Sequence, residues 1–166
     1  MAATDLDIDA LTRQRQRIRA RYLRSSTPPS RARGIHHAAL ISSDVRRTVE
    51  FYQDLLEFPL TEMFENRDLP GSTHFFFDVG NGNQLAYFDL PGVPVGEYAE
   101  VLGGKHHIAL SVTPQNWDYL RAKLDDAGIA YDIRSGVSIY FHGPDGERLE
   151  LISDPLGELY GTTILH

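Results

Sequence analysis

Apolar positions along this chain change period in the same order twice. The segment Ile35–Ser42, with its apolar run Ala38-Ala39-Leu40-Ile41, reads as a strand. From Val45 through Val49, Phe51, Tyr52, Leu55 and Leu56 apolar positions recur three and four apart, as in a helix, with Ser43 or Asp44 placed to cap it. Strand-like runs follow at 58–64, 73–79 and 84–90, the last two joined by Gly80-Asn81-Gly82, a hairpin signal. The order then restarts. Ile108–Val112 reads as a strand, Pro114 opens a helix through Trp117, Leu120 and Leu124, and Gly128 ends it. Further strands are predicted near 129–134, 137–142 and 147–153, with Pro144-Asp145-Gly146 as the turn. The pattern predicts an α+β domain of two βαβββ modules, at about 34–92 and 104–155, with an internal repeat as its organising feature.

Each module opens on the same motif: Gly34-Ile35-His36-His37-Ala38-Ala39-Leu40 in the first and Gly104-Lys105-His106-His107-Ile108-Ala109-Leu110 in the second. Strand parity decides what these histidines face. Alternate residues share a face, so Ile108, Leu110 and Val112 form the packing side, and His107, Ala109 and Ser111 form the other. His37, Ala39 and Ile41 repeat that second face. In the last strand Leu149 and Leu151 pack inward, which turns Glu150 the opposite way. A buried carboxylate without a counter-charge is costly, so two histidines and Glu150 on such faces point to a cation. His36 and His106 have the opposite parity and stand as alternative ligands.

Charge and composition narrow the class. With no cysteine there is no disulfide framework and no thiolate, so a metal must be held by His, Asp or Glu. Residues 1–34 hold eight arginines against three aspartates, which leaves the body near −12 within a net charge of −7. So acidic a body argues against nucleic acid, because phosphate neutralisation needs a basic surface. No apolar stretch reaches the roughly 18–20 residues of a membrane span, and the N-terminus lacks a signal-peptide core; a cytoplasmic protein without membrane contact is expected. The segment from Asp5 to Ser25 reads as an Arg-rich helix, and Ser25-Ser26-Thr27-Pro28-Pro29-Ser30 as a linker, so that residues 1–33 form an arm outside the 34–166 domain.

The histidine motif, Asp44, Phe51-Tyr52-x-x-Leu55-Leu56 and Gly143-Pro144-Asp145-Gly146-x-x-Leu149-Glu150-Leu151 together resemble the vicinal oxygen chelate superfamily of glyoxalases, extradiol dioxygenases and fosfomycin-resistance transferases, over about residues 34–155. The resemblance implies two βαβββ modules forming an open mixed β-barrel around a divalent metal, with helices outside and a homodimer as the common assembly. It places the ligands at His37, His107 and Glu150. Superposing Asn81-Gly82-Asn83-Gln84-Leu85-Ala86 on Asp145-Gly146-Glu147-Arg148-Leu149-Glu150 puts Ala86 where glyoxalase I often supplies a fourth ligand. Alanine cannot coordinate. Two histidines and one carboxylate with open positions suit Fe(II), with Mn(II), Ni(II), Zn(II) and Co(II) as alternatives.

His74, Phe76 and Asp78 share the cavity parity in the first module, and Ser138, Tyr140 and His142 in the second. By the same resemblance, His74 is expected to manage a proton and Tyr140 to donate a hydrogen bond to a developing oxyanion, while His142 reads as a loop-edge residue. Phe75, Phe76, Phe77, Tyr87 and Phe88 supply core and cavity walls that suit an aromatic substrate. The expected activity is an extradiol-like non-haem Fe(II) dioxygenase acting on a small aromatic diol or similar chelating substrate. A glyoxalase-type isomerase, a thiol transferase, or a non-catalytic binding protein of the bleomycin-resistance kind are the other readings.

Overall fold

The structure, a computed structural model, describes residues 7–23, 26, 28–32 and 34–157. It divides into two units, Met1–Arg33 and Gly34–His166. In the first, helix α1 (Ile8–Tyr22) is capped by Asp7, whose carboxylate accepts from the Ala10 amide at 2.8 Å, and none of its residues is buried. Asp5 and Leu6 at the start of the expected helix, and Ser25 and Thr27 of the expected linker, lie outside the described residues.

The second unit holds two four-stranded sheets built alike. Strand β1 (His37–Ile41) leads into helix α2 (Val45–Val49), whose N-cap Asp44 accepts from the Arg47 amide at 3.0 Å. The helix runs on as a π-helical segment, Glu50–Leu55, which ends with the Leu56 amide donating to the Phe51 carbonyl at 3.1 Å. Periodicity alone gave an α-helix here; the wider turn is a local departure that still buries Tyr52 and Leu56. Strands β2 (Leu60–Glu65), β3 (Thr73–Asp78) and β4 (Gln84–Phe88) complete the first module, with Asn81 at φ 54° in the turn before β4.

The second module consists of β5 (Ile108–Ser111), α3 (Pro114–Asp126), β6 (Tyr131–Arg134), β7 (Ser138–His142) and β8 (Arg148–Ile152). Helix α3 begins as predicted, with Thr113 as N-cap and Pro114 in the first turn. The sheet orders are β1-β4-β3-β2 and β5-β8-β7-β6, and in each the first strand lies parallel to the last strand of its module. A parallel first pair with antiparallel neighbours is what a βαβββ chain gives when its helix crosses over one face.

One apolar core joins the modules. It takes Phe75, Phe77, Leu85 and Tyr87 from the first sheet, Leu110, Ile139, Phe141, Leu149 and Leu151 from the second, and Tyr52, Leu56, Trp117, Leu120 and Leu124 from the helical segments. Full burial of each such side chain is worth roughly 1.5–3 kcal/mol. The sheets are not closed into a barrel. They share the faces on the packing parity, so the faces that carry the histidines turn away from the common core.

A polar lock crosses the same junction. The buried Glu147, in the turn before β8, accepts from the Tyr52 hydroxyl at 2.8 Å and the Tyr87 hydroxyl at 3.2 Å through Oε1, and from the Asp145 amide at 2.9 Å through Oε2. Burial and the neighbouring carboxylate push both phenols well above their ordinary range. Asp145 in turn accepts from the Ser43 amide at 3.1 Å and from Arg47 at 2.8 Å. The turn motif also needs its first glycine: a Cβ on Gly143 would sit 2.3 Å from the Glu147 carboxylate.

Candidate metal centre

Strand pairing settles which positions correspond between modules. On the first sheet Ala39 stands opposite Ala86; on the second Ala109 stands opposite Glu150. Glu150 therefore projects from the middle of its sheet on the face of Ala109, and Ala86 holds the equivalent place in the first module.

Glu150 is a buried carboxylate, with 2% of its surface exposed. Its Oε2 lies 3.0 Å from His107 Nε2, while its Oε1 is buried without a hydrogen-bond partner among the described residues. An acceptor oxygen left in that state costs free energy that a cation would recover. The donor set fits a divalent metal: one imidazole nitrogen, one carboxylate with a spare oxygen, and no sulfur. The Tyr140 ring stands edge-on to His107 at 5.5 Å and lies beneath the Arg148 guanidinium at 5.1 Å.

His37 begins β1 on the matching face of the other sheet, exposed, with its ring 5.9 Å from that of Phe76. Among the described residues no three His, Asp or Glu side chains gather as a metal-holding group. One chain thus brings together two of the three predicted ligands, His107 and Glu150, and leaves His37 on a separate sheet. The shared core explains the separation, because packing through one face of each sheet sends the opposite faces apart.

His74, on β3, belongs to the His37 face. Its ring stacks on Phe88 at 3.8 Å and leans on Phe76 at 4.2 Å and Phe64 at 5.4 Å. Burial, and after it the neighbouring His37, holds this imidazole below the ordinary histidine value, so it is neutral at pH 7. Its Nε2 is buried with no hydrogen-bond partner among the described residues. His142 is exposed and its Nδ1 lies 3.0 Å from the Gly146 carbonyl, a turn contact.

Both double-histidine motifs adopt one geometry. His36 and His37 meet through Nδ1 at 2.9 Å, and His106 and His107 at 2.7 Å. Parity had set His36 and His106 apart from the site, yet each ring touches that of its neighbour. The second pair is tied further: His106 Nε2 lies 3.2 Å from Arg148 Nη1 and 3.7 Å from Glu100 Oε2. Strand parity alone does not single out Arg148, although it lies two residues before Glu150 and so shares its face.

The chain belongs to the Glyoxalase/Bleomycin resistance protein/Dioxygenase superfamily, whose pattern matches residues 34–151. Among its relatives is the "putative ring-cleaving dioxygenase MhqA" of Bacillus subtilis, 25% identical over 142 residues, which cover 79% of this chain but 43% of that protein. This chain therefore spans less than half the length of that relative. The "metallothiol transferase FosB" of Shouchella clausii is 30% identical over 75% of this chain and 83% of its own length. A solved structure of the fosfomycin resistance protein FosX from Listeria monocytogenes, complexed with Mn(II), shares the fold, with a TM-score of 0.56, 22% identity, and coverage of 75% of this chain and 95% of that one. No helix among the described residues is long and apolar enough to cross a membrane.

Proposed function

We propose that this chain is a divalent-metal enzyme whose ligands are His37, His107 and Glu150, and that a second copy completes the site. The buried Glu150, with one oxygen on His107 and the other without a partner, is the observation that carries this reading. The His37 face of one copy supplies the missing imidazole to the His107–Glu150 face of its partner. Exposure along both faces supports this: Ala39 and Ile41 on β1, and Ala109 and Ser111 on β5, are all solvent-exposed in the single chain.

The reaction proposed is oxygen-dependent cleavage of a small aromatic diol, with Fe(II) as the metal. Support comes from the aromatic surface around His37 and His74, formed by Phe64, Phe76 and Phe88, and from Ala86, which adds no fourth ligand. A divalent metal held by His37, His107 and Glu150 would supply Lewis acidity toward a chelating substrate's oxygens. His74, neutral and set against the aromatic wall, takes the substrate's hydroxyl proton at Nε2. Tyr140, beside His107, donates to the oxygen that gains charge. The Phe side chains orient the ring and exclude water.

A thiol-transfer reading with Mn(II) stands second, favoured by length: this chain matches FosB over most of that protein and MhqA over less than half of it. The deciding experiment pairs an oxygen electrode, run over a panel of catechols with Fe(II) supplied, with anaerobic assays of thiol consumption by fosfomycin and of methylglyoxal–glutathione hemithioacetal isomerisation with Mn(II) or Ni(II). Oxygen uptake dependent on Glu150 supports the dioxygenase. Turnover only in the anaerobic arm assigns the transferase or isomerase class.

A further inference from the structure

We infer that His106 is the positioning residue for the ligand His107, and that Arg148 and Glu100 anchor it in that role. The inference rests on the reading of His107 as a metal ligand. The contacts form one continuous line. Glu100 Oε1 accepts from Arg148 Nη1 at 3.2 Å, the same nitrogen lies 3.2 Å from His106 Nε2, His106 Nδ1 lies 2.7 Å from His107 Nδ1, and His107 Nε2 lies 3.0 Å from Glu150 Oε2.

The direction of the hydrogen bonds follows from chemistry. A guanidinium only donates, so His106 Nε2 accepts and the proton of the neutral ring sits on Nδ1. That proton is donated to His107 Nδ1. The proton of His107 is then on Nε2, facing Glu150, which only accepts. Each ring's orientation is thus fixed from both sides, and the His107 nitrogen turned toward Glu150 is Nε2. Metal-binding imidazoles generally have their second nitrogen held by a hydrogen-bond partner, which sets the ring plane and tautomer. Here the partner is the adjacent residue in the chain. His106 Nε2 also faces both a pure donor, Arg148, and a pure acceptor, Glu100 Oε2 at 3.7 Å. Glu100 Oε2 lies beyond hydrogen-bond reach in the metal-free chain, so a metal that displaces the His107 Nε2 proton, and so sends the proton to Nδ1 facing His106, requires His106 Nε2 to leave Arg148 and close on Glu100.

The first module shows what the anchor adds. His36 and His37 repeat the ring geometry, with centroids 5.1 Å apart against 4.9 Å for His106 and His107 and an interplanar angle of 77° in both. Gln84, directly opposite His37, takes the place that Arg148 holds on β8. Among the described residues, anchoring through an arginine is found in the module that carries the carboxylate ligand.

Two measurements test this. The first uses the metal-free full chain: long-range ¹⁵N–¹H NMR of the histidine rings should show His106 protonated at Nδ1 and His107 at Nε2, and Arg148→Gln should abolish the His106 preference. The second is a Co(II) titration. Loss of an outer-shell partner typically costs 10–100-fold in metal affinity, so His106→Ala should weaken binding by about that factor, and His106→Gln, whose amide can pair with His107 Nδ1, should recover part of it. Wild-type affinity in His106→Ala, or a His107 tautomer unchanged in that variant, overturns the inference. His107→Ala separates the two readings: if it binds Co(II) like wild type, the metal-site assignment itself fails, whatever His106 does.

Discussion

Ala86 and Glu150 occupy the same place in the two modules, one standing opposite Ala39 and the other opposite Ala109. Both are almost fully buried, at 0% and 2% exposure. Ala86→Glu therefore puts a second carboxylate at the position where the repeat has left a gap. In an assembled site it should bind the metal, fill an open coordination position and suppress substrate turnover while metal content is kept. Without metal, the new carboxylate is an uncompensated buried charge and should cost about 3 kcal/mol or more. Thermal melts with and without Mn(II) check this: a melting temperature equally low in both would place Ala86 away from the metal.

A site shared between copies has a clear genetic signature. His37→Ala, His107→Ala and Glu150→Ala should each lose most bound metal. His37→Ala retains an intact His107–Glu150 half, however, and Glu150→Ala retains an intact His37. Co-expressed under separate affinity tags and purified as the mixed dimer, the two should regain about half of the wild-type metal content. No recovery in a verified mixed dimer would place all three ligands within one chain.

The Glu147 lock should set the stability of the two-module unit. Tyr52→Phe removes a hydrogen bond to a buried carboxylate and should cost about 1.5–3 kcal/mol in urea unfolding. Glu147→Ala, which strands two buried phenols, should cost more. The pH dependence follows from the raised phenols. Tyr52 and Tyr87 hold their protons in the folded state beyond the ordinary value of 10.0, so their contribution is complete below pH 10.0 and is lost as pH rises above it. Stability measured between pH 9 and 11 should fall less steeply in the double Phe variant than in wild type.

The architecture was legible because period and punctuation agreed. Pro114 opened α3, Gly128 closed it, and the alternation of Ile108 and Leu110 against His107 and Ala109 gave the burial the structure shows. Parity turns Glu150 away from Leu149 and Leu151, onto the face of Ala109, and superposing the two turn segments puts Ala86 at the matching place, the correspondence that the strand register shows. What parity could not give was the partner of each face. Alternation shows that His37 and His107 lie opposite the packing side, but not that the two packing sides would meet each other and send the histidines apart. Nor could it find Glu147, which reads as a surface turn residue until Tyr52 and Tyr87 arrive from the other module. Arg148 was readable, being on the Glu150 face, but a basic residue on a strand usually signals a solvated edge.

His74 carries the proposed reaction's proton, and its surroundings say how it should respond to change. The ring is clamped between Phe88 and Phe76, and burial keeps it neutral, so at pH 7 it is a base with no protein donor occupying Nε2 among the described residues. His74→Ala should keep metal content and the fold, since no ligand is removed, and should lower oxygen uptake with catechols by about 10²–10⁴-fold, the range for loss of a general base. His74→Phe separates chemistry from packing, because it restores the aromatic contacts with Phe88 and Phe76 without the nitrogen. Equal losses in the two variants assign the effect to proton transfer; recovery in His74→Phe would make His74 a wall residue and move the base elsewhere. The measurement is single-turnover oxygen consumption on metal-loaded protein, with iron quantified in the same samples.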